Sequence, residues 1–193
     1  MNPRRLELSE LDLTGGDLAA LLTGEVLNTV TELDLGFNPL GNAGCAVLFD
    51  LLAGATHSVR LILTCCDISL LPPLPLCVRA MDLSWNPVYD CPALSPNLRE
   101  LNLSFTQLDD DQAEELLMGI QTTSLLVELG LEGNFIDEEL ICEVNQALAA
   151  NRIRERAVAL CCAIDVARLS ARSSIRRLPK DLARLALGYL LPT

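Results

Sequence analysis

Val30-Thr-Glu-Leu33-Asp-Leu35-Gly-Phe37-Asn38-Pro-Leu40 is the stretch on which the reading of this chain turns. Leu33 and Leu35 are one residue apart, so in a short strand they point the same way. Asn38 falls where the chain turns off that strand. A buried amide there can satisfy backbone groups that the turn leaves open. Similar stretches run from Leu8 to Leu18, Ser58 to Ile68, Val78 to Val88, Leu98 to Leu108 and Leu126 to Ile136. No copy can bury its own leucines, so the copies must stack around one shared interior.

The six copies resemble the leucine-rich repeat, LxxLxLxx(N/C)xL, over roughly residues 6 to 150. Asn38, Asn86 and Asn134 take its turn position, Cys66 is the permitted alternative, Thr106 is a smaller polar substitute, and Gly16 departs from it. The resemblance implies an α/β fold: a leucine-rich repeat solenoid with a curved parallel sheet, helices and extended turns on its convex side, and a C-terminal helical segment. Taking Leu11, Leu33, Leu61, Met81, Leu101 and Leu129 as equivalent, the steps are 22, 28, 20, 20 and 28. The long steps have room for helices over residues 42–54 and 109–122, the latter opened by three aspartates that suit the positive end of a helix dipole. The short steps carry Pro72, Pro73 and Pro75, and Pro92 and Pro96, and imply extended turns. The mixture looks like the intracellular repeats of the ribonuclease-inhibitor type, which usually bind proteins on the concave face.

Two columns of residues are candidates for such binding. Residues between the leucines of each strand give Asp12, Asp34, Ile62, Asp82, Asn102 and Gly130, flanked by Glu10, Glu32, Arg60, Ala80, Glu100 and Glu128. This is either an acidic strip that steers a basic partner or the ordinary solvation of an exposed sheet. The column before the turn residue reads Gly15, Phe37, Cys65, Trp85, Phe105 and Gly133. Aromatics are only 4% of the chain, so three in line resemble an interface anchor set, or rings that pack on one another to shield the sheet edge. The concave partner-binding set is therefore Phe37, Trp85 and Phe105 with Asp34, Asp82 and Glu100.

Composition limits the other classes of function. The net charge is −12, which disfavours a general nucleic-acid binder. No charge-free apolar run approaches the length of a spanning helix, and the N-terminus lacks the apolar core of a secretory signal. A cytoplasmic or nuclear protein with no membrane role is expected. Cysteines at 45, 65, 66, 77, 91, 142, 161 and 162 include two adjacent pairs and mostly sit in apolar surroundings, so they read as structural, reduced cysteines. No CxxC pair occurs and His57 is the sole histidine, so no metal set is expected. His57 opens the third strand, where it is expected to face solvent. Nucleotide, hydrolase and metalloprotease motifs are lacking, and neither an enzyme nor a cofactor is expected.

The charge changes sign near residue 151. Residues 1–150 hold 5 basic and 23 acidic side chains, whereas residues 151–193 hold 9 and 3. Two domains are expected: a solenoid over 1–150 and a helical box or cap over 151–193. An amphipathic helix over 137–150 ends the first, and two helical segments, from about Ile153 to Leu169 and from Leu178-Pro179 to about Leu191, make the second. The tail resembles the elongin-binding box of SOCS-box and von Hippel-Lindau-type substrate receptors. Val158, Cys162 and Val166 match its four-residue spacing, and Ile175-Arg-Arg-Leu178-Pro179 matches its cullin-contacting Ile-x-x-Leu-Pro portion. Ala157-Val158 and Lys180-Asp181 depart from the family pattern, the latter at the second Leu-Pro that bears on cullin choice. The resemblance implies elongin B/C and a cullin ubiquitin ligase as partners, with a substrate held on the repeats. Other readings of the tail are a cap on the last repeat and an F-box remnant; the chain would then be a scaffold, regulator or inhibitor.

Overall fold

The computed structural model describes residues 4–90, 92–122 and 125–170, with side chains to Cys161. Six short strands appear in chain order: β1 (Arg5–Glu7), β2 (Glu32–Asp34), β3 (Val59–Ile62), β4 (Val78–Asp82), β5 (Glu100–Asn102) and β6 (Glu128–Gly130). All neighbours are parallel and the sheet order is the chain order. Each connection therefore returns on one side, as a solenoid of stacked repeats requires. The returns carry α1 (Gly15–Leu21), α2 (Gly24–Leu27), α3 (Gly41–Leu52) and α4 (Asp110–Thr122). The two proline-bearing returns have no helix among their described residues. Leu33, Leu61, Leu83 and Leu103 are all fully buried in one cluster with Leu18, Leu48, Leu116 and Val144. This is the α/β leucine-rich repeat solenoid that the pattern predicts.

The first repeat is not where the pattern places it. Leu6 pairs with Leu33, and Glu7 with Asp34. The backbone N–H of Leu8 donates to the Asp34 carbonyl, and that of Glu10 to the Gly36 carbonyl. The equivalent of Leu33 is thus Leu6 rather than Leu11, five residues earlier. Leu11, not Gly16, stands at the turn position, where it is exposed. The first repeat is then a long one, with room for α1 and α2. Thr14 begins α1 by a capping box. Its backbone N–H donates to the Asp17 carboxylate at 2.8 Å and its hydroxyl at 2.7 Å. These two bonds, the hydroxyl's first, hold the Asp17 carboxyl below its usual range.

Contacts divide the chain into two compact units, Met1–Leu148 and Ala149–Thr193. The helix α5 (Glu138–Ser170) is continuous across that division, whereas the sequence suggests a break before Ile153. The segment Ala149-Ala150-Asn151-Arg152 holds neither proline nor glycine to stop it. Val144 and Leu148 are buried in the first unit's core. In the second unit Ala157 is buried, while Val158 is 55% exposed.

Candidate functional site

The turn that follows each strand is built on a ladder of amides. The Asn38 amide donates to the carbonyls of Leu8 and Leu35 at 2.8 Å each and accepts the N–H groups of Leu11 and Leu13. Asn86 does the same with Leu63, Leu83, Cys66 and Ile68. Asn134 does it with Leu103, Leu131, Thr106 and Leu108. Each asparagine therefore ties its own turn to the turn before it. In between, the Cys66 thiol donates to the Leu35 carbonyl at 3.3 Å and the Thr106 hydroxyl to the Leu103 carbonyl at 2.6 Å.

That ladder fixes the residue just ahead of each turn position. Backbone N–H groups of Phe37, Cys65, Trp85 and Phe105 donate to Thr64, Ser84, Ser104 and Glu132 of the following repeat. The column is thus in register, and the corrected phase puts Glu10 at its start in place of Gly15. Every member is left-handed: φ is +59° at Glu10, +58° at Phe37, +55° at Cys65, +61° at Trp85, +58° at Phe105 and +68° at Gly133. Only glycine adopts this conformation without steric cost; for other residues it costs about 1 kcal/mol each. The three aromatics also remain wet, at 56%, 59% and 42% exposure for Phe37, Trp85 and Phe105. They stand in the turns at the C-terminal rim of the sheet, beyond the strands themselves. Trp85 and Phe105 stack, with ring centroids 4.3 Å apart and planes 12° apart. A Cβ at Gly133 would run into the Phe105 ring, so that glycine leaves the ring its place.

The acids of the sheet face are engaged with their neighbours. Asp34 accepts the Gly36 N–H at 3.1 Å and a bond from Arg5 at 3.0 Å. Asp82 accepts the N–H and hydroxyl of Ser84 and the side-chain amide of Asn102. Glu100 pairs with Arg60. The corrected phase makes Glu7 and Arg5 the first members of the two face columns, in place of Asp12 and Glu10. Arg5 lies 3.4 Å from the Glu32 carboxylate as well, so the strip is partly neutralised at that end. Asp12, by contrast, stands past the turn with φ +54°.

His57 differs from the expectation. It is half-buried before β3, and its Nε2 donates to the Val30 carbonyl at 2.6 Å. Cys45, Cys65, Cys66, Cys77, Cys142 and Cys161 are free thiols. Burial pushes the Cys45 thiol up to about 12 and that of Cys66 up to about 11, which suits inert core residues. Among the described residues no group of histidine, cysteine and acid side chains is placed to hold a metal ion. None of their helices is long and apolar enough to cross a membrane. Of the tail set, Val158 is described and exposed; the side chains of Cys162 and Val166, and Leu178 and Pro179 altogether, lie outside the described residues.

A family model described as leucine-rich repeat matches residues 26–49 and 94–117. Among solved structures the chain is similar to the tropomodulin C-terminal domain of Caenorhabditis elegans. The identity is 12% and the TM-score 0.49, over 82% of this chain and 90% of that one. No curated protein sequence matches significantly. The repeats are those of a protein-interaction module.

Proposed function

We propose that this protein is a non-catalytic recognition adaptor that holds a protein partner on the rim aromatics Phe37, Trp85 and Phe105. The observation that carries this reading is their combination of exposure with left-handed backbone. Large exposed rings in a costly conformation are out of place in a column where glycine would serve, as Gly133 does; strain of this kind collects at binding sites. Exposed aromatics in a row are also the usual anchors of protein interfaces. Asp34, Asp82 and Glu100 are spent on turns and on Arg60, so they take the role of framing the site rather than gripping the partner.

The second half of the proposal concerns the C-terminal segment, which recruits elongin B/C and through them a cullin ubiquitin ligase. Its support is the motif resemblance together with the exposure of Val158, an apolar residue left in water on a helix. The competing reading makes the segment a cap on the last repeat and the chain a scaffold. Co-expression with elongin B and C separates the two. A stable complex that is lost on Val158→Asp supports the adaptor; the absence of any complex at micromolar concentration sinks it and leaves the scaffold.

A further inference from the structure

Charge is sorted along the strand direction in the first unit. Its five arginines, Arg4, Arg5, Arg60, Arg79 and Arg99, all lie within one residue of a strand start. The turns at the opposite ends carry acids instead: Glu10, Asp12, Asp67, Asp90, Asp109 and Glu132 are all exposed. No arginine or lysine occurs on that rim among the described residues of the unit. The ion pairs of Arg5 and Arg60 are made with Glu7, Glu32, Asp34 and Glu100 of the strands rather than with these rim acids.

The aromatics on the rim are not evenly spaced. Trp85 and Phe105 are on adjacent repeats and stack. Phe37 and Trp85 are two repeats apart, about 10 Å at the usual strand spacing. The residue between them is Cys65, whose side chain is too small to fill the interval. Phe105 occupies one face of Trp85, so the other is turned toward that gap. The result is a notch between Phe37 and Trp85 with a small floor and an acidic surround, Asp67 lying close after the floor in sequence and Glu10 preceding Phe37 in the column.

We infer that this notch takes an arginine side chain of a basic polypeptide segment, the guanidinium lying over Trp85 beside Phe37. The guanidinium is a flat cation that stacks on aromatic faces and is weakly hydrated, which fits a walled gap better than the compact, strongly hydrated ammonium of lysine. The acids on both sides supply long-range attraction for the rest of a basic segment. This inference deepens the proposal that the rim aromatics hold a protein partner and rests on it.

Trp85 is the chain's single tryptophan, so its fluorescence reports the notch alone. The 193-residue protein is titrated with a peptide of alternating glycine and arginine, with the lysine version, and with a glycine–serine version. The arginine peptide gives a saturable change in Trp85 emission, binds several-fold more tightly than the lysine peptide, and weakens as salt is raised. Calorimetry with Cys65→Phe gives the decisive comparison. That variant leaves every rim aromatic and every acid in place but fills the notch, and arginine binding falls about tenfold, the scale of one lost cation–π contact. Should Cys65→Phe bind as well as the parent or better, the notch is not the site. Equal affinity for the arginine and lysine peptides, or binding of none, likewise overturns the arginine inference. Neither result touches the broader proposal, which fails only if Trp85→Ala and Phe105→Ala leave binding of the physiological protein partner intact.

Discussion

At the scale of single residues, the asparagine ladder decides how firmly the repeats are joined. Asn86 is 1% exposed and its amide makes five bonds to backbone groups of two repeats. Truncation strands two carbonyls and two N–H groups in a dry interior. Each such loss costs on the order of 1–3 kcal/mol, part of which relaxation recovers. Asn86→Ala is therefore expected to destabilise the protein by about 3 kcal/mol or more, among the larger effects known for a point change. Cys66 stands at the same position one repeat earlier, but its thiol is a weak donor, to Leu35 at 3.3 Å and Thr64 at 3.5 Å. Cys66→Ala is expected to cost about 1–2 kcal/mol, mainly through lost packing. Urea unfolding of both variants at unchanged slope tests the ranking. If Cys66→Ala proves the more damaging, packing rather than the amide holds the turns together.

At the scale of elements, two glycines set how closely α1 and α3 approach. A Cβ added at Gly44 would lie 2.9 Å from the Leu40 Cβ and 3.4 Å from the Gly15 nitrogen; one added at Gly15 would lie 2.9 Å from the Gly44 Cα. Helix propensity alone favours alanine over glycine by about 1 kcal/mol. Here the overpacking falls partly on backbone, which does not swing aside, and its cost of about 1–3 kcal/mol reverses the sign. Gly44→Ala is expected to lower the melting temperature, whereas Gly24→Ala, at the start of α2 with nothing within 4 Å, is expected to raise it. A rise for both would mean that the contact yields. This same region shows where the sequence could be read and where it misled. Leu33, Leu61 and Leu101 announce their strands, because a fixed LxL followed by a polar turn residue admits one phase. The first repeat offers two LxL pairs, at Leu6 and Leu11, and the pattern cannot choose between them. Thr14 and Asp17 could have decided it, since a capping box there starts a helix where the later phase puts a turn. The rim aromatics were legible because repeat register alone fixes their column. The state of the acids was not: Asp34 depends on Arg5, whose place follows from the phase of the first repeat, and Asp82 on the rotamers of Ser84 and Asn102.

At the scale of the whole molecule, the imbalance between 5 basic and 23 acidic residues in positions 1–150 makes self-repulsion a standing cost of the compact state. Salt acts on it with two opposed signs. It screens the attraction in the ion pairs of Arg5 and Arg60, which are half-exposed and worth at most about 1 kcal/mol each. It also screens repulsion among many more acids, including the exposed run Asp109–Asp111. Between about 0.01 and 0.15 M salt the screening length falls from about 30 to about 8 Å. Contacts within a pair at 3–4 Å are little affected by that change, while repulsion between acids on neighbouring turns is largely removed. Added salt is therefore expected to raise the melting temperature, by a few degrees for a gain on the order of 1 kcal/mol. A fall would mean that the arginine pairs outweigh the acids around them. The capture of a basic segment at the rim responds the other way, because the charges that repel one another in the fold are those that attract the segment. Melting and peptide titration across one salt series should thus diverge, stability rising as affinity drops; if both move together, the charge on the rim is not what draws the partner.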